Sequence, residues 1–452
     1  MQTSLWAPAT LRRTIALLMA ITIIAIESFA ASVAMPAAVR EVGGIGWYGW
    51  AFSSFFLAMI AAMAVAGALA EGGAHRPFWL GNVLFALGLL LAGTSSDILI
   101  ILAGRTLQGF GSGFASAATY AIVSVSFAPQ IRARMIALLS SAYAIPAMVG
   151  PAWAVLITEQ YGWRWVFLIL APFPLFSMLM VKRVRSPTST GSDPSRSLVA
   201  PALLLASGIA LASVSVTLFT QGHSSAIPGM ILGIILAIPA VVYLLARRAI
   251  TFRFVFASMV LLNAGFFGVD AILPLLLEIT RQAAPFLGGL ALTAAALGWI
   301  GASWVQSRMV DRFGRRGFVA LGAFFVMSGI AVTACSFYPQ WPGYLSVVGW
   351  GLAGAGMGFA SNTLSLLGME QAGGNAEDVA IVQLSAVIGM AIGTSISAGF
   401  QGGASRPEDI SLLRVLSMCA VLIAIVIPVP FLAVVFKKQA RSIPESRQET
   451  SM

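Results

Sequence analysis

Apolar runs of about 18–28 residues recur along the whole chain, separated by short polar stretches. They lie at 14–35, 47–70, 77–95, 98–127, 135–158, 164–181, 198–220, 226–246, 254–278, 286–306, 317–337, 341–368, 379–400 and 412–436. A helix rises about 1.5 Å per residue, so each run is long enough to cross a hydrocarbon core about 30 Å thick. The pattern predicts an all-α integral membrane protein with fourteen transmembrane helices. If the pair within 198–246 did not cross, the count would be twelve. The first run follows Arg12 and Arg13 in the manner of a signal peptide, but it is long enough to span and is read as a retained helix.

The one extended polar linker, Lys182 to Ser197, is rich in Ser, Pro, Thr and Gly and follows the sixth run. It divides the chain into an N-terminal six-helix bundle (1–181), a linker with two extra helices (182–253) and a C-terminal six-helix bundle with a short tail (254–452). An internal repeat points the same way. The loop at 67–76 and the loop at 307–316 lie 240 residues apart. Met35-Pro36 and Leu273-Pro274 end corresponding helices 238 residues apart.

Composition narrows the function classes. Hydrophobic residues make up 59% of the chain and charged residues 9%, at a mean hydropathy of +0.92. A soluble domain carries about 25% charged residues, so a soluble enzyme, a nucleic-acid binder and a disordered chain are excluded. Of the 26 Lys and Arg, 20 fall on the side of the termini, five on the other side, and Arg105 inside a run. That asymmetry predicts cytoplasmic termini in a cell membrane, plasma or inner, and accounts for the net charge of +10 without nucleic acid. One inner loop is acidic instead, through Glu370, Glu377 and Asp378. Cys335 and Cys419 lie in apolar runs and form neither a disulfide framework nor a metal-ligand pattern. No cofactor motif is present.

Three ionisable groups sit deep in the runs: Glu27, Arg105 and Asp270. Each costs about 2.5–3.5 kcal/mol at mid-bilayer on insertion scales, which makes each a functional candidate. At 1.5 Å per residue, Glu27 lies about 13 Å below Pro36, Arg105 about 11 Å below Ile98 and Asp270 about 12 Å below Glu278. In the fourth run Arg105, Gln108, Ser112, Ser116 and Thr119 form one helical stripe, which must face a cavity or another helix. Gly109, Gly113 and Ala117 beside it form a close-packing face. In the ninth run Asn263, Phe267, Asp270 and Pro274 share a face. Gln108, Ser112, Asn263 and Phe267 are therefore candidates for a substrate cavity. An Arg⁺ beside a buried carboxyl changes its affinity for a proton. If Arg105 approaches Glu27 in only one conformation, Glu27 becomes a proton carrier coupled to that conformation. Asp270 is a second carrier or a partner for a cationic substrate. The alternative for all three is a structural lock between helices.

Several of these residues resemble the major facilitator superfamily, and within it the fourteen-helix drug:proton antiporter branch. The family's loop motif G-x-x-x-D-R-x-G-R-R is matched by Asp311, Arg312, Gly314, Arg315 and Arg316, with Ser307 for the leading Gly. The first copy keeps Gly67 and Arg76, with Glu71 for the Asp and Ala74 for the turn Gly. Arg105 and Gly109 match the fourth-helix motif, and Gly150-Pro151 the core of the antiporter motif of the fifth helix. Tyr161 to Trp165 is similar to the entry of the sixth helix, and Glu27 stands nine residues before Pro36, where the branch often has Asp. The resemblance implies a two-bundle transporter of 6 + 2 + 6 helices working by alternating access, with a cytoplasmic gating loop. It implies export of lipophilic small molecules, cations among them, in exchange for protons. The partners implied are a small lipophilic substrate, protons and membrane lipids, with the chain a monomer. Export of an endogenous lipid, siderophore or other amphiphile is one alternative; a non-transporting sensor or scaffold is another. His75 and His223 read as solvated loop residues, Trp163, Trp165 and Trp341 as an interfacial belt, and the glycines from Gly349 to Gly358 as helix packing.

Overall fold

The computed structural model describes residues 5–70, 73–181, 184, 194–246, 248–282, 285–372, 376–402, 404 and 409–432. Among them the chain is all-helical. The first group is α1 (Pro8–Val42), α2 (Trp50–Ala70), α3 (His75–Gly93), α4 (Ile98–Ser126), α5 (Pro129–Ser141), α6 (Ala144–Tyr161), α7 (Trp163–Leu168) and α8 (Pro172–Met180). An inserted pair follows, α9 (Pro194–Thr220) and α10 (Ile227–Leu245). The last group is α11 (Ile250–Asp270), α12 (Leu273–Arg281), α13 (Pro285–Phe313), α14 (Arg315–Cys335), α15 (Leu345–Ala372), α16 (Ala376–Gln401) and α17 (Leu412–Val426).

Twelve segments among the described residues are long and apolar enough to cross a membrane. The inserted pair supplies two of them, Leu198–Thr220 and Ser224–Leu245, and the proline-bearing run at 164–181 supplies another, Trp163–Met180. The two runs that fall short are others. The run at 135–158 is not one helix: it is divided between α5 and α6. Pro146 has no N–H for the Ala142 carbonyl, and its ring crowds that carbonyl, so the helix breaks at Ala142-Tyr143. The run at 341–368 does form a continuous helix, α15, but its glycines dilute its hydropathy.

Proline places two further breaks. Pro172 and Pro174 separate α7 from α8, and Pro274 separates α11 from α12. Pro36 lies inside α1, which runs on to Val42 without a break.

The two groups repeat one packing scheme. In the first, α3 and α4 cross where Gly81 meets Gly111 and Gly88 meets Gly104; in the second, α14 and α15 cross where Gly322 meets Gly356 and Gly329 meets Gly349. Gly109 and Gly113 of α4 rest on the backbone of α2, at Phe55 and Met59; Gly354 and Gly358 of α15 rest on that of α13, at Ala295 and Trp299. The four α4 glycines and their α15 equivalents are each 245 residues apart. Backbones this close leave no room for a side chain.

The groups meet through α2 against α16 and α6 against α13, while α9 packs on both α2 and α16. Polar contacts between the groups gather at the end where α1 finishes. Arg40 pairs with Glu278. The Tyr48 hydroxyl donates to the Ala271 carbonyl at 3.1 Å, and the Gly49 N–H to Gln401 Oε1 at 3.2 Å. Ser53 Oγ lies 3.3 Å from Thr394 Oγ1. A Cβ on Gly49 would lie 2.5 Å from the Ala398 Cα, so this end is closed tightly.

Candidate functional site

Glu27 sits midway along α1, and Arg105 lies two turns into α4. The structure brings them together as an ion pair, with both side chains almost fully buried. The guanidinium is held from three more directions. Its Nε donates to the Ala51 carbonyl at 2.9 Å, its Nη1 to Gln108 Oε1 at 2.6 Å, and the Phe55 ring lies 4.6 Å away. These partners fix Arg105 to α2 and to its own helix, independently of Glu27. Two buried polar atoms beside the pair, Glu27 Oε2 and Gln108 Nε2, have no hydrogen-bond partner. A buried carboxylate oxygen without a donor is expensive, so this is the point at which a proton or a polar atom is best accommodated.

The polar stripe on α4 points inward throughout: Arg105, Gln108, Ser112, Ser116 and Thr119 are all buried. Ser112 bonds back to the Gly109 carbonyl at 3.0 Å. Gly150, on α6, packs toward Phe29 and Ile26 of α1, on either side of Glu27. Pro151, one residue on, faces Gly289 of α13 in the other group. The Gly150-Pro151 step thus touches both the acid-bearing helix and the interface between groups.

Asp270 is the last residue of α11, placed there by Pro274 four residues on. Its Oδ1 accepts from Trp350 Nε1 at 2.8 Å. Trp350 is fully buried and stacks on Phe266 at 4.9 Å, and Phe266 meets Trp299 and Phe267 edge-on. Phe267 also reaches Phe56 of α2, 6.3 Å between centroids, so the aromatic cluster joins the two groups. Asn263 is buried and donates to its own helix at Met259, beside the crossing with α16. It shares a helix with Asp270 but not its hydrogen-bond partner.

Trp350 is the residue that sequence reasoning missed. It lies inside a glycine run that reads as packing alone. The signal was the repeat: Arg105 follows Gly104, and Trp350 follows the equivalent Gly349, 245 residues later.

The loop motif behaves differently in its two copies. Glu71 lies outside the described residues, and Arg76 is exposed at the start of α3. Gly314, at φ +72, makes the turn between α13 and α14. Arg312 is exposed, Arg316 is half-buried, and Asp311 lies in the last turn of α13. Arg315 pairs with Glu370 at the end of α15. The acidic loop is thereby explained: Glu370 meets Arg315, and Asp378 meets Arg248 at 2.7 Å.

Two readings are corrected. His75 is buried rather than solvated, because α3 begins at it and its Nδ1 lies 3.0 Å from the Val184 carbonyl. Trp163 is buried too, donating to Glu41 at 2.9 Å, whereas Trp165, Trp341 and His223 are exposed.

Comparison with known proteins follows the same lines. The chain is 27% identical over 335 residues to a multidrug resistance protein B homolog of Mycobacterium tuberculosis, covering 71% of this chain and 62% of the relative. The chain therefore spans less than two thirds of that protein's length. It is 25% identical over 435 residues to a probable multidrug-efflux transporter of the same organism, covering 86% of this chain and 87% of the relative. Among solved structures, the POT family transporter PepTSo superposes with a TM-score of 0.68 at 11% identity, covering 95% and 98% of the two chains. The nucleoside transporter NupG (D323A mutant) superposes with a TM-score of 0.66 at 11% identity, covering 94% and 99%. The family model for the Major Facilitator Superfamily matches residues 17–398, and with the two repeated helix groups this places the chain in that superfamily as a multi-pass membrane protein.

Proposed function

We propose that this chain is a proton-coupled antiporter that exports lipophilic small molecules, cations among them, across a cell membrane by alternating access. The relatives named for multidrug efflux support export as the activity. In this reading the chain crosses fourteen times, with α5–α6 and α15 completing the twelve apolar spans, and both termini are cytoplasmic. The closed end at Arg40, Tyr48 and Gly49 then faces outward.

The observation that carries the reading is the Glu27–Arg105 pair. Arg105 also bonds to Ala51 and Gln108, partners that do not involve Glu27. In this reading Glu27 is the mobile partner. When α1 shifts relative to α4, the carboxylate loses its cation inside a low-dielectric site and takes up a proton; when the contact re-forms, the proton leaves. That cycle ties proton exchange to the positions of the helices.

The test is purified protein in liposomes with an imposed pH gradient and tetraphenylphosphonium as cargo. Wild type is expected to accumulate the cation against its own gradient, and Glu27→Gln to equilibrate it without accumulation. Gradient-driven accumulation by Glu27→Gln equal to wild type would refute Glu27 as the carrier.

A further inference from the structure

The two acids are held by the same position of a repeated helix. Arg105 follows the first glycine of the α4 series and Trp350 follows the first glycine of the α15 series, at the common offset of 245 residues. Each reaches an acid on the first helix of its own group: Glu27 on α1 and Asp270 on α11. The acids are 243 residues apart, inside the range of 238 to 245 that the other repeated landmarks set. The second group therefore carries the first group's arrangement with one change of chemistry: a guanidinium has become an indole N–H.

That change is large. An Arg donates from a full positive charge and cancels the carboxylate beside it; an indole donates one hydrogen bond and cancels nothing. Among the described residues no Lys or Arg pairs with Asp270. Its partner instead is Trp350, which belongs to an aromatic cluster with Phe266, Trp299 and Phe267. Trp299 and Phe267 are half-buried. Asp270 also closes α11, and so sits at the negative end of that helix's dipole. Carboxylate, helix terminus and ring faces all attract a positive charge, and none supplies one.

Resting on the export reading above, we propose that Trp350 is a specificity-determining residue: by replacing the repeat's arginine with a neutral donor, it leaves Asp270 as the point where the positive charge of an organic cation is bound. The first group's acid is neutralised by its own arginine and serves the proton; the second group's acid is left for cargo. Trp350 orients the carboxylate through Oδ1, and the aromatic faces cover the apolar body of the cation.

The experiment is equilibrium binding to the full chain in nanodiscs at fixed pH and without a gradient, using tetraphenylphosphonium and the neutral triphenylphosphine oxide. Asp270→Asn keeps an oxygen for the Trp350 N–H and removes the charge. Trp350→Arg restores the arrangement of the first group. Both are expected to weaken tetraphenylphosphonium at least about tenfold, a typical size for the loss of a desolvated charge contact, and to leave the neutral probe within about twofold. Trp350→Phe keeps a ring and the charge but loses the N–H that orients Asp270, and is expected to weaken the cation less than Trp350→Arg does. Equal effects on the two probes, no effect on either, or a loss in Glu27→Gln as large as in Asp270→Asn would overturn the proposal, as would a wild type that does not bind the cation. Because no gradient is present, failure of the export reading shows separately, as binding with this selectivity but no driven flux.

Discussion

The closed end of the molecule gives the most direct quantitative test. At the break between α11 and α12 the Ala271 carbonyl belongs to neither helix, and its partner is the Tyr48 hydroxyl, 3.1 Å away in the other group. Both residues are buried. Tyr48→Phe keeps the ring against Phe52, 5.5 Å between centroids, and removes only the hydroxyl. A buried carbonyl left without a donor costs about 1–3 kcal/mol. The cost arises only while this end is closed, because opening admits water to the carbonyl. The full amount therefore shifts the closed-to-open equilibrium, by roughly 5- to 150-fold. The assay is distance measurement between spin labels at Val42 and Thr280, on a background in which Cys335 and Cys419 are replaced by Ser. The long-distance population is expected to rise relative to the short one by that factor. A folded Tyr48→Phe protein whose distribution matched wild type would refute the idea that this bond holds the end shut.

Three further substitutions probe the same architecture. Gly49→Val puts side-chain atoms where the Ala398 backbone lies, with no flexible group to yield, so the same labels should report an open end under all conditions. Trp50→Phe removes the 3.0 Å bond to Thr217 that fastens α9 to α2; a double-mutant cycle with Thr217→Val, read by chemical denaturation, should give a coupling of about 0.5–1.5 kcal/mol. The Arg315–Glu370 pair is about half exposed on each side, so the cycle of Arg315→Gln with Glu370→Gln should give less than about 1 kcal/mol and fade at high salt.

Most of the fold could be read from the sequence because a membrane imposes length and polarity on each segment separately. Glu27, Arg105 and Asp270 stood out for the same reason: charge inside an apolar run is rare and costly. What escaped was whatever depends on a partner distant in the chain. Trp350 is apolar by composition and unremarked in a helix, and it becomes part of the site only through a bond to Asp270, 80 residues earlier. Glu370 and Asp378 seemed to contradict the charge pattern until Arg315 and Arg248 were found beside them. The division of 135–158 was legible in Pro146, but a hydropathy run averages over one proline.

The two groups, built on one scheme, place their rigidity differently. In the first, α1 is continuous for 35 residues despite Pro36, and a buried ion pair ties it to α4. Separating such a pair without a substitute for either charge costs about 3–5 kcal/mol. In the second, the equivalent helix is divided at Ala271-Ile272, and the Trp350–Asp270 hydrogen bond and the Phe266–Trp350 stack tie it to α15 without a second charge. A hydrogen bond to a carboxylate contributes about 1.5–3 kcal/mol. The ion pair of the second group, Arg315–Glu370, lies at the exposed end of α15, where water screens it. Rearrangement near the centre is thus cheaper in the second group than in the first. On the proposed antiport reading, a proton lowers the cost of releasing α1 by neutralising Glu27, whereas the second group needs no proton to adjust around Asp270. The proposed exchange of protons for cargo would use that difference: one acid whose release is gated by a proton, and one whose surroundings yield to whatever enters.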